Sequence, residues 1–284
     1  MAGKGGTGTS VTGSLRPDES VTPAWRFSAE DAVPVEVFNT TGRARVILLC
    51  DHGSNAIPKE LHALGLSEQL RHRHIAWDIG TFQVARYLSA RFDAPLIRCG
   101  FSRLLIDPNR SPEHQQSIPA QSDGFTIPGN VGLDTEEIER RRVRFFQPYH
   151  RAIDKRIRHM RARGLVPALI SIHSFTPALS CNTPRPWHIG VLWNRDGRIA
   201  RPLIERLAGR SSVCVGDNKP YHANEPQGYT LPTHAERMGY PHVLIELRKD
   251  LIREHDGAHH WAVLLGDALA PILEDTAIYT IQYT

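Results

Sequence analysis

The sequence predicts a single three-layer α/β domain, in which a mixed, mostly parallel β-sheet carries helices on both faces. Short runs of apolar and β-branched residues, typical of strands that are buried on both faces, alternate with segments of helical periodicity. Such alternation is typical of a mostly parallel sheet. A chain of 284 residues with 40% hydrophobic and 23% charged residues can bury one large core. We therefore expect one domain over residues 28–284.

The apolar runs place the strands. They are predicted, in chain order, at residues 35–38, 45–50, 95–98, 101–107, 168–172, 188–193, 213–215 and 242–247. The segment from Ala168 to Ile172 is the most apolar of them, and it runs directly into His173. A histidine at the carboxyl end of an interior strand lies where open α/β sheets bind ligands, although a structural, hydrogen-bonded histidine is the alternative.

Helical spacing and start and stop signals place the helices. They are predicted at residues 68–75, 81–92, 134–163, 198–208, 233–238 and 257–273. Asp134 and the acids after it suit the positive end of a helix dipole, and Gly164 is a helix stop. Residues 111–132 are polar and rich in Gly and Pro, which predicts a long connection of the kind that is usually functional.

Composition limits the cellular setting and the partners. Residues 1–27 are poor in apolar residues and are predicted to be disordered, with no apolar segment typical of a signal peptide. The four cysteines are far apart in sequence, which indicates reduced thiols and a cytoplasmic protein: Cys50, Cys99, Cys181 and Cys214. A net charge of +4 and the absence of an 18-residue apolar stretch indicate neither a nucleic-acid nor a membrane partner. The oligomeric state stays open.

Polar side chains follow four of the predicted strands. They are Asp51, His52 and Asn55; Arg103, Asp107, Asn109 and Arg110; His173; and Glu246 with Arg248. Two histidines at separate strand ends suit a catalytic zinc ion, which lowers the pKa of a bound water towards ~7. Glu246 lies inside an apolar strand, where a carboxylate without a partner is costly, and this favours a general base over a structural role.

Five segments, in the same order, resemble those of the N-formylglutamate amidohydrolase family, which is similar to the zinc carboxypeptidases. They are His52–Pro58, Arg103–Arg110, Pro148–His150, His173–Pro177 and the strand that bears Glu246. The resemblance spans about residues 45–255. It implies a zinc carboxypeptidase/phosphorylase-hydrolase-like fold, one zinc ion, and an N-acyl amino acid as the small-molecule substrate.

The resemblance implies His52 and His173 as zinc ligands. The zinc carboxypeptidases have a glutamate ligand where this chain has Asn55, and an amide oxygen is a poorer ligand than a carboxylate. Asp78 is therefore the candidate for completing the site, with the alternatives that it caps the helix from residue 81 or orients a ligating histidine. Asp51 is expected to orient His52.

The resemblance also assigns the catalytic and substrate-binding residues. It implies Glu246 as the general base and Arg103 as the group that stabilises the oxyanion. Asn109 and Arg110 are implied as a clamp for the substrate carboxylate. If the four strand ends lie together, all of their polar residues face one crevice, and Arg248 is expected to bind the substrate there.

Other groups are expected near the crevice. Tyr229, with Tyr221 and His234, is expected to cover the substrate. Tyr149 and His150 lie on a predicted helix and are interpreted as packing residues that could reach the crevice.

Three functions are compatible with these residues. The preferred one is a zinc-dependent amidohydrolase that cleaves the N-acyl, N-formyl-type amide of an acidic amino acid. The second is a peptidase or amidase that acts on other N-acyl or cell-wall peptide substrates. The third is a non-catalytic binding protein of the same fold, which Asn55 keeps open because it weakens the metal site.

Overall fold

The computed structural model describes residues 1, 32–178, 184–221 and 228–283. Apart from Met1, the predicted disordered segment of residues 1–27 lies outside the described residues, and so does Cys181. None of the described helices is both long enough and apolar enough to cross a membrane.

A seven-stranded mixed sheet forms the middle of the domain. Its strands are β1 (Val35–Phe38), β2 (Val46–Cys50), β3 (Leu96–Cys99), β6 (Ala168–Phe175), β7 (Ile189–Leu192), β8 (Val215–Asp217) and β9 (His242–Arg248). The strand order is β1-β3-β2-β6-β9-β7-β8. The central strands β3, β2, β6 and β9 are parallel, whereas β1 is antiparallel to β3, and β7 is antiparallel to β9. The predicted mixed, mostly parallel sheet is confirmed.

Helices cover both faces of this sheet. They are α1 (Glu68–Arg71), α2 (Thr81–Phe92), α3 (Thr135–Arg141), α4 (Gln147–Ala162), α5 (Ala200–Ala208), α6 (Thr230–His234), α7 (Lys249–Ile252) and α8 (His255–Glu274). A π-helical turn, Arg142–Phe146, joins α3 to α4, so the predicted helical stretch from 134 to 163 is nearly continuous. The predicted loop 111–132 contains a small hairpin, β4 (Gln121–Ser122) with β5 (Phe125–Thr126).

Alternating side chains along the strands divide the core into two layers. On β2, Leu48 belongs to one apolar cluster, whereas Ile47 and Leu49 belong to the other. The first cluster includes α2, α5 and α8, as with Leu269, and the second includes α4, as with Ile153. The three-layer arrangement that the sequence predicts is therefore present.

The prediction of a strand over residues 101–107 is wrong. This segment is a series of turns whose backbone amides are bonded to separate loops: Ser102 N donates to Ala56 O at 2.8 Å, and Asp107 N donates to Ser117 O at 2.7 Å. Its apolar residues, such as Leu104 and Leu105, are buried in the core without a strand partner. The apolar run was thus a signal of burial and not of strand pairing.

A buried arginine anchors this segment to the long loop and to α3. Arg141 is 2% exposed, and its guanidinium donates to Asn130 Oδ1 at 2.6 Å, to Gly129 O at 3.0 Å and to Leu105 O at 3.2 Å. Its Nε donates to Glu137 Oε1 at 2.9 Å. Arg141 thereby holds the segment that carries Arg103 and Asp107 towards the sheet edge.

Replacement of this anchor tests its contribution to stability. Arg141→Ala leaves the Asn130, Gly129 and Leu105 acceptors unpaired, and we expect it to lower the free energy of unfolding by about 3 kcal/mol. The matched control is Arg140→Ala, which removes an exposed arginine on the same helix that also pairs with Glu137, and it should cost about 0.5 kcal/mol or less. Denaturant unfolding measures both values. Equal losses for the two variants would contradict the anchoring role.

Candidate active site

The ends of three parallel strands bring the central side chains of the site together. His52 follows the end of β2, His173 lies near the end of β6, and Glu246 lies near the end of β9. The register of β6 and β9 pairs His173 with Glu246. Asp78 comes from the turn before α2, and its backbone amide donates to His52 O at 2.9 Å. The crevice at the strand ends, predicted from the sequence, is therefore formed.

A buried arginine supports the turn that carries His52. Arg98 Nε donates to Gly53 O at 3.0 Å, and its Nη1 donates to Glu36 Oε2 at 2.7 Å. Its guanidinium carbon lies 4.0 Å from the centre of the Phe82 ring. A Cβ on Gly53 would lie 2.9 Å from Arg98 Cγ, so only glycine fits this close approach.

His52, Asp78 and His173 form a buried group suited to a metal ion, with one candidate ligand atom from each within 4.8 Å of the others. Asp78 Oδ2 lies 3.4 Å from His52 Nδ1 and 3.2 Å from His173 Nδ1. The same oxygen accepts a hydrogen bond from Ser174 N at 3.1 Å. Both Nδ1 atoms therefore converge on one carboxylate.

Two further carboxylates hold the opposite nitrogens of these rings. His52 Nε2 donates to Asp107 Oδ1 at 2.8 Å, and His173 Nε2 donates to Asp51 Oδ2 at 2.9 Å. A carboxylate that accepts from one ring nitrogen directs the other towards a metal, as in many zinc proteins. The donor set thus fits a zinc ion bound through the two Nδ1 atoms and Asp78.

Asp51 orients His173, and the expectation that it orients His52 is wrong. Its two oxygens also accept from Tyr149 Oη at 2.7 Å, from Thr230 Oγ1 at 2.9 Å and from Ser171 Oγ at 2.9 Å. Burial would raise the pKa of Asp51, but the hydrogen bond and charge of His173 lower it well below its usual value. Tyr149 is therefore part of the support of the site as well as a packing residue.

The electrostatics of the group depend on these carboxylates. Burial would lower the pKa of both imidazoles, yet Asp51 and Asp78 raise the pKa of His173 well above its ordinary value. For His52, burial and Arg103 act in the same lowering direction, and Asp107 and Asp78 outweigh them, so that its pKa is raised. The carboxylates thus favour positive charge on the two rings, and a cation bound between the rings would meet the same field.

Glu246 is a buried carboxyl group without a fixed hydrogen bond on one oxygen. Its Oε2 has no hydrogen-bond partner among the described residues. Burial, with the charge of Asp78 adding to it, raises the pKa of Glu246 to about 7, although His173 opposes the shift. A carboxyl group with such a pKa can both accept and return a proton near neutral pH.

Arg103, Asn109 and Arg110 line the site next to Asp78 and Asp107. Arg103 Nη2 donates to Asp107 Oδ2 at 2.9 Å, and its Nη1 lies 3.6 Å from Asp78 Oδ1. Arg110 Nε lies 3.5 Å from Asp107 Oδ2. The side-chain oxygen of Asn109 accepts from the backbone amides of the segment that starts α6, at 2.9 and 3.0 Å.

A cavity of about 250 Å³ contains these groups. The predicted site residues that line it are His52, Asp78, Arg103, Asn109, Arg110, His173 and Glu246. Residues that the sequence did not indicate also line it, among them His74, Leu192, Trp193, Leu231, Pro232, Glu236 and Leu244. Tyr221, expected over the substrate, is at the cavity wall as well.

Three of the predicted site residues do not line this cavity. Asn55 Nδ2 donates to Arg71 O at 3.1 Å, and the amide is therefore directed away from the two histidines. Arg248 is held by Asp250, with Nε donating at 2.9 Å and Nη2 at 3.2 Å. Tyr229 donates its backbone amide to Asn109 Oδ1 at 2.9 Å, and its ring packs against Phe146 and His150. The structure thus does not support the side chains of these three residues as ligands or substrate contacts.

The sequence left open whether Asn55 or Asp78 accompanies the two histidines. In the structure, the residue beside them is Asp78. The alternative that Asp78 caps α2 through its side chain is wrong, because the helix begins after Gly80 with no side-chain cap. Thr81 Oγ1 instead donates to the backbone carbonyl of Asp78 at 2.7 Å. The Asp78 carboxylate is free to face the histidines.

The cavity has a cationic side, and at its other side apolar residues such as Leu192 and Leu244 lie together with the polar residues Asn194, Glu236 and His242. The arginines follow β3, and the apolar residues lie on the β9–β7 side, where Leu192 pairs with Leu244. Leu244 and Glu246 lie two residues apart on β9 and so share one face of the sheet. Because β2 and β6 lie between β3 and β9, the histidines separate the cationic end from the apolar end.

Comparison with known proteins identifies the family. The family model described as N-formylglutamate amidohydrolase matches residues 44–253. No curated protein sequence matches the chain. The crystal structure of gene product Atu2144 from Agrobacterium tumefaciens is similar, with a TM-score of 0.80 and 36% identity over 86% of this chain and 97% of that chain.

A more distant structure has the same fold. N-formylglutamate amidohydrolase from Ralstonia eutropha JMP134 gives a TM-score of 0.60 at 20% identity, over 85% of this chain and 97% of that chain. At this identity the likeness concerns the fold alone. From the family match over residues 44–253, the chain belongs to the N-formylglutamate amidohydrolase family and is a hydrolase that acts on amides.

Proposed function

We propose that this hydrolase depends on zinc and cleaves the N-acyl amide of an acidic amino acid, with N-formylglutamate as the reference substrate. The observation that carries the proposal is the convergence of His52 Nδ1, His173 Nδ1 and Asp78 Oδ2 beside Glu246. His52, Asp78 and His173 would hold the ion. When bound, zinc supplies Lewis acidity to the amide carbonyl and eases deprotonation of a water molecule.

Glu246 acts in this proposal as the group that moves the proton. It removes a proton from the attacking water, whose oxygen forms a bond to the amide carbon. As the carbon–nitrogen bond breaks, Glu246 returns that proton to the departing amine. Burial raises the pKa of Glu246, and this makes its carboxylate a stronger proton acceptor for the first step.

Arg103 and Arg110 provide the positive charge for the substrate. Arg103 is held by Asp107 next to the histidines, and it would stabilise the negative charge that develops on the carbonyl oxygen. Arg110 would bind the substrate carboxylate. The side-chain oxygen of Asn109 already accepts two hydrogen bonds from the backbone at the start of α6. Its proposed contribution is therefore to fix the turn that carries Arg110.

A neighbouring basic cavity supports an acidic amino acid as the leaving group. It has a volume of about 610 Å³, shares Arg103 and Arg110 with the first cavity, and adds Arg73, Arg185 and Lys249. A second carboxylate on the substrate would meet a positive potential there.

The apolar end of the first cavity favours a second candidate, hydrolysis of acyl groups larger than formyl. A formyl group carries only hydrogen beyond its carbonyl carbon, so it makes little use of Leu192, Trp193 and Leu244. Glu236, which accepts from Asn194 at 2.8 Å, also lines the cavity and would repel a carboxylate placed close to it. An apolar N-acyl group on an acidic amino acid fits both ends of the site.

Replacement of Glu246 tests the proton transfer. Glu246→Gln keeps the shape of the side chain but cannot accept a proton, and we expect kcat for N-formylglutamate to fall about 10³-fold with zinc retained. The control is Glu236→Gln, which neutralises another cavity-lining carboxylate and should change kcat by no more than about threefold. Wild-type rates for Glu246→Gln would exclude its role as the base.

Replacement of Leu244 tests the acyl group. Leu244→Trp fills the apolar end, and it should lower kcat/KM for N-butanoylglutamate by about tenfold or more. Because a formyl group carries only hydrogen beyond its carbonyl carbon, we expect kcat/KM for N-formylglutamate to stay within about threefold. If the wild-type chain cleaves only the formyl compound, the second candidate is rejected. Cleavage of short peptides in preference to both compounds would favour a peptidase.

A further inference from the structure

Two buried histidines outside the metal group form a hydrogen-bonded chain with an acid. His150 Nε2 lies 2.9 Å from Pro108 O, and His150 Nδ1 lies 2.8 Å from His234 Nε2. His234 Nδ1 lies 2.9 Å from Asp154 Oδ1. His150 and Asp154 are one turn apart on α4, and His234 is the last residue of α6. These three hydrogen bonds therefore link α4 and α6 to the turn at Pro108.

The partners determine where the protons lie along this chain. A carbonyl oxygen can only accept, so His150 Nε2 carries a proton and donates it to Pro108 O. Burial first, and then the positive charge of His234, lower the pKa of His150 to about 4, so its Nδ1 is unprotonated and accepts from His234 Nε2. Asp154 Oδ1 accepts a hydrogen bond at His234 Nδ1. The hydrogen bonds therefore form one series from Asp154 through both rings to Pro108 O.

Pro108 lies between a residue that holds a histidine of the candidate metal site and two residues that line the cavity. Asp107, which holds His52, precedes it, and Asn109 and Arg110 follow it. Asn109 Oδ1 is already bonded to the start of α6. The His150–His234 chain adds a bond from the end of α6, through α4, to the neighbouring carbonyl. The turn is thus attached at two points.

We propose that His150 and His234 are positioning residues, which hold the Pro108 carbonyl and thereby place Arg110 for the substrate carboxylate. The inference rests on the proposed function for the role of Arg110, but the rigid attachment of the turn is independent of the substrate. Neither histidine lines the cavity, so neither has a direct part in the reaction. Loss of the bond should weaken binding of substrate and transition state equally, which raises KM and leaves kcat unchanged.

The test compares two replacements of His150 in the full chain. His150→Phe keeps an aromatic ring but has neither the donor nor the acceptor. His150→Gln keeps both, because its amide nitrogen can donate to Pro108 O while its oxygen accepts from His234. The matched control is His159→Phe, an exposed histidine on the same helix. Asp154→Ala is a milder variant, since this side chain is 48% exposed and its loss spares the core.

Steady-state kinetics with N-formylglutamate and amide hydrogen exchange at Asn109 and Arg110 are the two readouts. We expect His150→Phe to raise KM about tenfold, to change kcat by less than about twofold, and to speed exchange at both amides. His150→Gln and His159→Phe should stay close to wild type. If His150→Phe does not fold, Asp154→Ala should raise KM about threefold in its place.

Three outcomes overturn the proposal. They are an unchanged KM and exchange rate in the variant lacking the bond, a fall in kcat with KM unchanged, and equal damage from the Gln and Phe replacements at His150. If the wild-type chain does not hydrolyse N-formylglutamate, the proposed function has failed, and the exchange rates at Asn109 and Arg110 decide on the positioning role alone.

Discussion

The site depends on three buried carboxylates that are held in fixed positions around two imidazole rings. Asp107 and Asp51 accept from the Nε2 atoms of His52 and His173, and Asp78 faces both Nδ1 atoms. Burying this much negative charge is costly unless positive groups compensate for it. The outer carboxylates therefore determine which nitrogen of each ring faces Asp78, and these nitrogens are the candidate ligand atoms for a metal ion.

The sheet determines how the remaining groups are arranged around this centre. Four neighbouring parallel strands end at one edge, and each contributes a different chemical part: arginines after β3, the first histidine after β2, the second on β6 and the acid on β9. The antiparallel strand β7 adds the apolar wall. The order of the strands therefore places the arginines, the two histidines, Glu246 and the apolar residues Leu192 and Leu244 in sequence across the cavity.

The positions of the strand ends in the sequence predicted the fold class and the proximity of His52, His173 and Glu246 at one edge of the sheet, because burial and alternation are properties of short segments. It could not predict where side chains in the turns point. The Asn55 amide is bonded to the Arg71 carbonyl, and Asp78, 23 residues further along the chain, takes its place beside the histidines. The same limit explains the wrong strand at residues 101–107, where apolar residues are buried by turns. It also explains why the contacts of Asp51 and His150 were not predicted, because they are made between distant segments.

The proposed function requires that His52, Asp78 and His173 bind one zinc ion. Elemental analysis of the purified chain after zinc supplementation and removal of free metal tests it most directly, with Asp78→Asn and Asn55→Ala measured in parallel. We expect about one zinc ion per chain for the wild type and for Asn55→Ala, and a large loss of zinc for Asp78→Asn, because a carboxylate ligand is replaced by a neutral amide. Absence of zinc from the wild type, or loss of zinc from Asn55→Ala with retention in Asp78→Asn, would contradict it.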